Sequence, residues 1–69
     1  MRKLIRSIEI LPSEDLMDDR ARIYKDDNGY SVCLNTTPLE VFPLTLEGYD
    51  LALDRLLLLV RSERKKYQG

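Results

Sequence analysis

Thr45-Leu46-Glu47-Gly48-Tyr49-Asp50-Leu51-Ala52-Leu53-Asp54-Arg55-Leu56-Leu57-Leu58-Leu59-Val60-Arg61-Ser62-Glu63-Arg64-Lys65-Lys66-Tyr67 is the stretch on which the fold turns. Set about 100° apart, Leu46, Tyr49, Ala52, Leu53, Leu56, Leu57, Leu59, Val60 and Tyr67 share one broad stripe, the signature of an amphipathic helix lying on a sheet. Thr45 is placed to cap that helix, and Leu44 and Tyr49 stand at the two positions of a hydrophobic staple. Gly48 in the first turn costs about 1 kcal/mol relative to alanine, which the leucine run outweighs.

Charge is sorted along the helix. Glu47, Asp50 and Asp54 occupy its first half; Arg55, Arg61, Arg64, Lys65 and Lys66 occupy the second against Glu63 alone. Acid at the start and base at the end complement the helix dipole. Leu51 and Leu58, seven residues apart, leave the apolar stripe and fall among Glu47, Asp54, Arg61 and Lys65. Two leucines aligned along a charged face suit a partner or a second copy of the chain.

The stretch upstream supplies a sheet. Ala21-Arg22-Ile23-Tyr24-Lys25-Asp26-Asp27-Asn28-Gly29-Tyr30-Ser31-Val32-Cys33-Leu34-Asn35 is two alternating runs about an Asn-Gly pair, the sequence preferred by a type I′ hairpin turn. The alternation aims Ala21, Ile23, Val32 and Leu34 at the core, with Tyr30 at the edge. Arg22, Tyr24, Ser31, Cys33 and Asn35 point the other way, so one sheet face is expected to be covered and the other free. In residues 3–11, Leu4, Ile5, Ile8 and Leu11 fit helical spacing, whereas Leu4, Ile8 and Ile10 fit one face of a strand. The density of isoleucine favours the strand, which Pro12 ends. Residues 13–19 read as an acidic connector, with Leu16 and Met17 pinning one helical turn to the core. Thr36-Thr37-Pro38 interrupts the sheet, and residues 39–44 form an extended connector or a fourth edge strand, flanked by prolines as edges often are. The expected domain is therefore a single α+β unit over residues 1–69: a three- or four-stranded antiparallel sheet, β-β-β-α in order, with one long C-terminal helix on one face.

A chain of 69 residues buries only about 60% of the surface it exposes when unfolded, and domains so small need disulfides, metal, oligomerisation or unusually good packing. The single Cys33 cannot close an internal disulfide, and the absence of histidine leaves a structural zinc site almost nothing to use. Oligomerisation or tight packing remains, and no cofactor is implied. The net charge of −1 gives no global pull toward nucleic acid or acidic lipid. The basic start Met1-Arg2-Lys3-Leu4-Ile5-Arg6 lacks the apolar run of a signal peptide, and no stretch matches a membrane span. A reducing, cytoplasmic setting is the expectation.

Catalytic chemistry has little to stand on. General acid–base work at neutral pH most often uses histidine, and Cys33 lacks a neighbouring base to make a thiolate. The paired acids Asp18-Asp19 and Asp26-Asp27 sit in connectors where carboxylates are solvated. Asp26-Asp27-Asn28-Gly29 looks like the glycine turn of a calcium loop, but Tyr24 occupies an upstream ligand position and no bidentate Glu follows. Ser13 lies in an acidic context suited to phosphorylation, which a solvated loop explains, and Asn35-Thr36-Thr37 matches a glycosylation acceptor, which means little where no secretion signal is expected.

Two functions from different classes follow. The first is a small non-enzymatic protein-interaction module that self-associates as a homodimer or modulates a larger protein, using Leu51 and Leu58 together with Tyr24 and Arg22, residue types favoured at hot spots. The layout is common among small intracellular, phage and plasmid proteins, a likeness of fold only. The second is a nucleic-acid-binding regulator in which Arg61, Arg64, Lys65 and Lys66 join Arg2, Lys3 and Arg6 in one basic patch, with Arg22 and Tyr24 offering stacking.

Overall fold

The computed structural model describes residues 1–10 and 19–68. Leu11, Pro12, Ser13, Leu16, Met17 and Asp18, to which the sequence assigned a strand end and an acidic connector, lie outside the described residues. Four strands, β1 (Lys3–Glu9), β2 (Arg20–Asp26), β3 (Gly29–Leu34) and β4 (Thr37–Phe42), precede one helix, α1 (Leu46–Gln68). The strands pair antiparallel in chain order, β1-β2-β3-β4. The helix packs on one face, over β2, β3 and β4. This is the α+β architecture read from the sequence, with the optional edge strand present.

Residues 3–9 resolve as strand, with a change of phase that simple alternation misses. The register runs Lys3↔Lys25 and Leu4↔Tyr24, then slips to Arg6↔Ile23 and Ile8↔Ala21. One extra residue in β1 is a bulge. It reverses which face the odd and even positions occupy, so Leu4 sits opposite Tyr24 on the outer face, while Ile5 and Ile8 pack against the core. The expectation that Leu4, Ile8 and Ile10 share a face is thereby corrected.

The β2–β3 turn holds Asp27 and Asn28, with Asp26 opposite Gly29. It is not the type I′ turn on Asn28-Gly29 that the sequence suggests, since that turn requires Asn28 at positive φ. Among the described non-glycine residues only Asn35 has positive φ. Instead Asp26 Oδ1 accepts the Asn28 N–H at 2.8 Å, a local side-chain closure of the turn. Gly29 then takes φ +141°, and a Cβ there would run into the Phe42 carbonyl oxygen on β4. Moving the loop by one residue shifts partners by two, so every side chain keeps its predicted face.

The break at Thr36-Thr37-Pro38 is a second tight turn, Asn35-Thr36, entered at φ 56° by Asn35. Asn35 also secures the start of β2: its Oδ1 accepts the Arg20 N–H at 2.9 Å, and its Nδ2 donates to Asp19 Oδ1 at 3.1 Å. In β4 the register slips between Val32↔Glu40 and Cys33↔Pro38, leaving Leu39 as the extra residue.

The helix begins as its sequence dictates. Thr45 Oγ1 accepts the Gly48 N–H at 2.9 Å, the N-cap bond. Gly48 has a reason beyond propensity: a Cβ would collide with the Pro43 carbonyl oxygen, so the first turn closes on the β4 exit only without a side chain. Ala52, Leu56, Leu59 and Val60 are buried against Ile10, Ala21, Ile23 and Val32, with Leu34, Phe42 and Leu53 around them. Burying a side chain of the leucine or isoleucine class is worth about 1.5–3 kcal/mol, so this cluster is the main source of stability. Four members of the expected stripe lie outside it: Leu46, Leu57 and Tyr67 are exposed, and Tyr49 is half-buried against Tyr30. Leu46 and Leu57 lie on the flank of the stripe that α1, seated over β2–β4, leaves uncovered.

Candidate interaction surface

Four leucines of α1 are exposed: Leu46 at 82%, Leu51 at 45%, Leu57 at 50% and Leu58 at 58%. Leu51 and Leu58 occupy the side turned away from the sheet, because the core residues Ala52, Leu56 and Leu59 take the opposite arc. Around the pair stand Glu47, Asp54, Arg61 and Lys65, all exposed. None of these four makes an ion pair or a side-chain hydrogen bond with another described residue; the ion pairs among the described residues are Arg20–Glu9, Arg55–Glu40 and Lys66–Glu63.

The remaining predicted partner residues lie elsewhere. Tyr24 and Arg22 project from β2 on the face opposite the helix, so they form no common patch with Leu51 and Leu58. Tyr24 is half-buried beneath Arg2, whose guanidinium carbon is 4.0 Å from the ring centroid, a cation–π contact. Arg22 donates from Nη1 to the Asn35 carbonyl at 3.2 Å. Leu4 and Val41, one on each edge strand, are exposed on this same face, making it more apolar than the sequence indicated. Cys33 pairs across from Arg22 yet is fully buried. Burial pushes its thiol pKa up, against the opposing pull of Arg2 and Arg22, so the thiolate a nucleophile needs is disfavoured.

The predicted basic residues form two groups and not one patch. Arg64 reaches the far end of β1, donating from Nε to the Ile10 carbonyl at 2.7 Å and from Nη2 to the Glu9 carbonyl at 3.0 Å. Lys3 stands at the other end of β1, opposite Lys25 near the β2–β3 turn; seven strand residues at about 3.3 Å each separate the two ends. Arg2 and Lys3 therefore lie apart from Arg61, Arg64, Lys65 and Lys66, with Arg6 between them. Arg64 is committed to strand carbonyls, Lys66 to Glu63 at 2.6 Å, and Arg2 to Tyr24.

Tyr67 completes the helix end. Its hydroxyl donates to Asp19 Oδ2 at 2.5 Å. The bonds from Tyr67 and then Asn35 hold the Asp19 carboxyl below its usual value, while Asp19 pushes the Tyr67 phenol up. At the other end of the helix an open hollow of about 300 Å³ is lined by Ile5, Lys25, Tyr30, Leu44, Leu46 and Tyr49. The Tyr30 and Tyr49 rings meet there with centroids 5.3 Å apart at 56°. Leu44 and Tyr49, the expected staple, share this hollow.

Of the exposed apolar surface, the sequence located Leu51 and Leu58 and missed Leu46, Leu57, Leu4 and Val41. The four prolonged or interrupted apolar patterns whose phase depends on where the helix sits and where the strands bulge. Comparison with protein-family models, with characterised proteins and with solved structures returns no match for this chain. No helix among the described residues is long and apolar enough to cross a membrane, a statement that leaves β-barrels aside.

Proposed function

We propose that this chain is a non-enzymatic protein-interaction module that self-associates through the outer face of α1. One observation carries the reading: Leu51 and Leu58 stay exposed, two turns apart, after the helix has used its opposite side to build the core. Two large apolar side chains held on a rigid element among solvated charges favour association over solvent, because burying them removes apolar area from water. The sheet edges compete poorly for the same role. β1 carries a bulge and the cations Lys3 and Arg6; β4 carries Pro38 and a bulge of its own. These are devices that discourage strand-to-strand pairing. The cytoplasmic setting belongs to the same proposal and rests on a lone buried thiol in a chain without a second cysteine.

Light scattering after size exclusion tests the reading. The wild type is expected to elute at the mass of a dimer. Leu51→Glu with Leu58→Glu is expected to elute as a monomer with an unchanged far-ultraviolet circular dichroism spectrum. Equal masses for the two proteins would reject the helix face as the association surface. Nucleic-acid binding through the basic helix end has less support, since its cations are divided between two ends of β1 and several already have partners within the chain. Recording absorbance at 260 nm in the same run checks it: a salt-labile excess would favour that second reading.

A further inference from the structure

The charges beside Leu51 and Leu58 identify the occupant of this face. Along the exposed side of α1 the order is Glu47, Leu51, Asp54, Leu58, Arg61, Lys65. Glu47 lies at one end, Arg61 and Lys65 at the other, and the two leucines, with Asp54 between them, occupy the middle. A solvated helix surface gains by interleaving opposite charges three or four residues apart, and this face does not: Glu47 and Asp54 have no cation at those spacings on the face, and Asp54 and Arg61 are seven apart. All four charges lack a partner among the described residues, although the neighbouring arc of the same helix satisfies Arg55 with Glu40 and Lys66 with Glu63. A pattern of this kind complements its own reverse.

We infer that the face binds a second copy of itself with the two helices antiparallel, Leu51 of each copy against Leu58 of the other, Glu47 of each beside Arg61 and Lys65 of the other, and Asp54 of each next to the two-fold axis. The inference rests on the association reading above and adds the direction of the pairing and the residues that meet across it. A two-fold axis across the helix pair makes the contact isologous, so that one patch serves both copies. The opposite direction fails on charge: parallel helices would set Glu47 on Glu47 and Arg61 on Arg61, and like charges brought together across an interface select against that arrangement. Because the helix axis is long compared with the sheet beneath it, about 1.5 Å per residue over 23 residues, the face is reachable along its length. The sheets then lie on the two outer sides of the helix pair, leaving both free sheet faces outward.

Charge reversal tests direction separately from association. Glu47→Lys with Asp54→Lys gives a helix face that is basic throughout; Arg61→Glu with Lys65→Glu gives one that is acidic throughout. Each variant alone is expected to dissociate at least roughly tenfold more readily than the wild type, read as a shift from dimer to monomer mass in sedimentation or light scattering. Mixed one to one, the two variants are expected to recover a dimer containing one copy of each. A wild-type dimer whose two variants each remain dimeric alone would overturn the antiparallel pairing and leave the association reading standing. A monomeric wild type would overturn both. Circular dichroism establishes that each variant is folded. Should either not fold, Leu51→Cys and Leu58→Cys made in separate Cys33→Ser chains and mixed with a short bismaleimide replace it. Cross-linking between positions 51 and 58 in preference to 51 with 51 supports the antiparallel pair, and preference for 51 with 51 overturns it.

Discussion

Gly48 is a residue at which propensity and packing give opposite answers. Helix propensity alone says that Gly48→Ala gains about 1 kcal/mol. The Pro43 carbonyl oxygen occupies the space a Cβ would need, and overpacking of this kind costs about 1–3 kcal/mol. Gly48→Ala is therefore expected to lower the chemical-denaturation midpoint, and a raised midpoint would show that the first turn has room to move. Tyr67 and Asp19 make a prediction in pH. Asp19 has its folded pKa lowered, so its contribution is present above the ordinary carboxylate range near about pH 4 and is lost as pH falls through the folded value. Tyr67 has its folded pKa raised, so its contribution is present below about pH 10 and is lost as pH rises through the folded value. The difference in melting temperature between wild type and Tyr67→Phe should accordingly be flat between those limits and shrink beyond each. A difference that persists unchanged into acid would mean that the hydroxyl–carboxylate bond contributes nothing to stability.

At the scale of elements, the helix was the most legible part of the chain and its two flanks the least. Thr45, the leucine spacing and the sorted charges define where α1 begins and which arc packs inward, because capping and the 3.6-residue period are local physics. Which of the marginal positions are covered depends on where the helix settles across four strands, and nothing in Leu46 or Leu57 encodes that. The hairpins were legible in face but not in turn. Alternation sets which side chains look inward, whereas the choice between Asn28-Gly29 and Asp27-Asn28 is made by the Asp26 carboxylate closing on the Asn28 amide and by Gly29 passing close to β4. The β1 bulge was invisible for a related reason: an unpaired residue in an edge strand changes phase without changing composition. Leu56 sits at the centre of the core, fully buried, and Leu56→Ala should cost about 2–5 kcal/mol. Arg64→Ala removes two bonds to the β1 carbonyls from a partly exposed guanidinium and should cost about 1–2 kcal/mol. Amide exchange would show that loss as faster opening of the last helical turns, and uniform acceleration across the whole chain would contradict this local role.

The molecule as a whole is a small sheet with a long lever of helix across it. Its core draws on one arc of α1 and the inner face of the sheet, which leaves apolar side chains on the far side of the helix and on the outer face of the sheet. The candidate site was legible in part. Leu51 and Leu58 break the helical period and announce themselves, and the alternation of β2 places Tyr24 and Arg22 on the free sheet face, where the structure has them. Domains of this size need disulfides, metal, oligomerisation or unusually good packing, and in the proposed self-association the outer face of α1 takes the partner. The mass of the assembly in solution tests this account most directly. Light scattering of the wild-type chain should give twice the 8.1 kDa of one copy, falling to a single copy in Leu51→Glu with Leu58→Glu while the circular dichroism stays the same. A wild-type mass of one copy across the micromolar range, or a dimer indifferent to both substitutions, would contradict it.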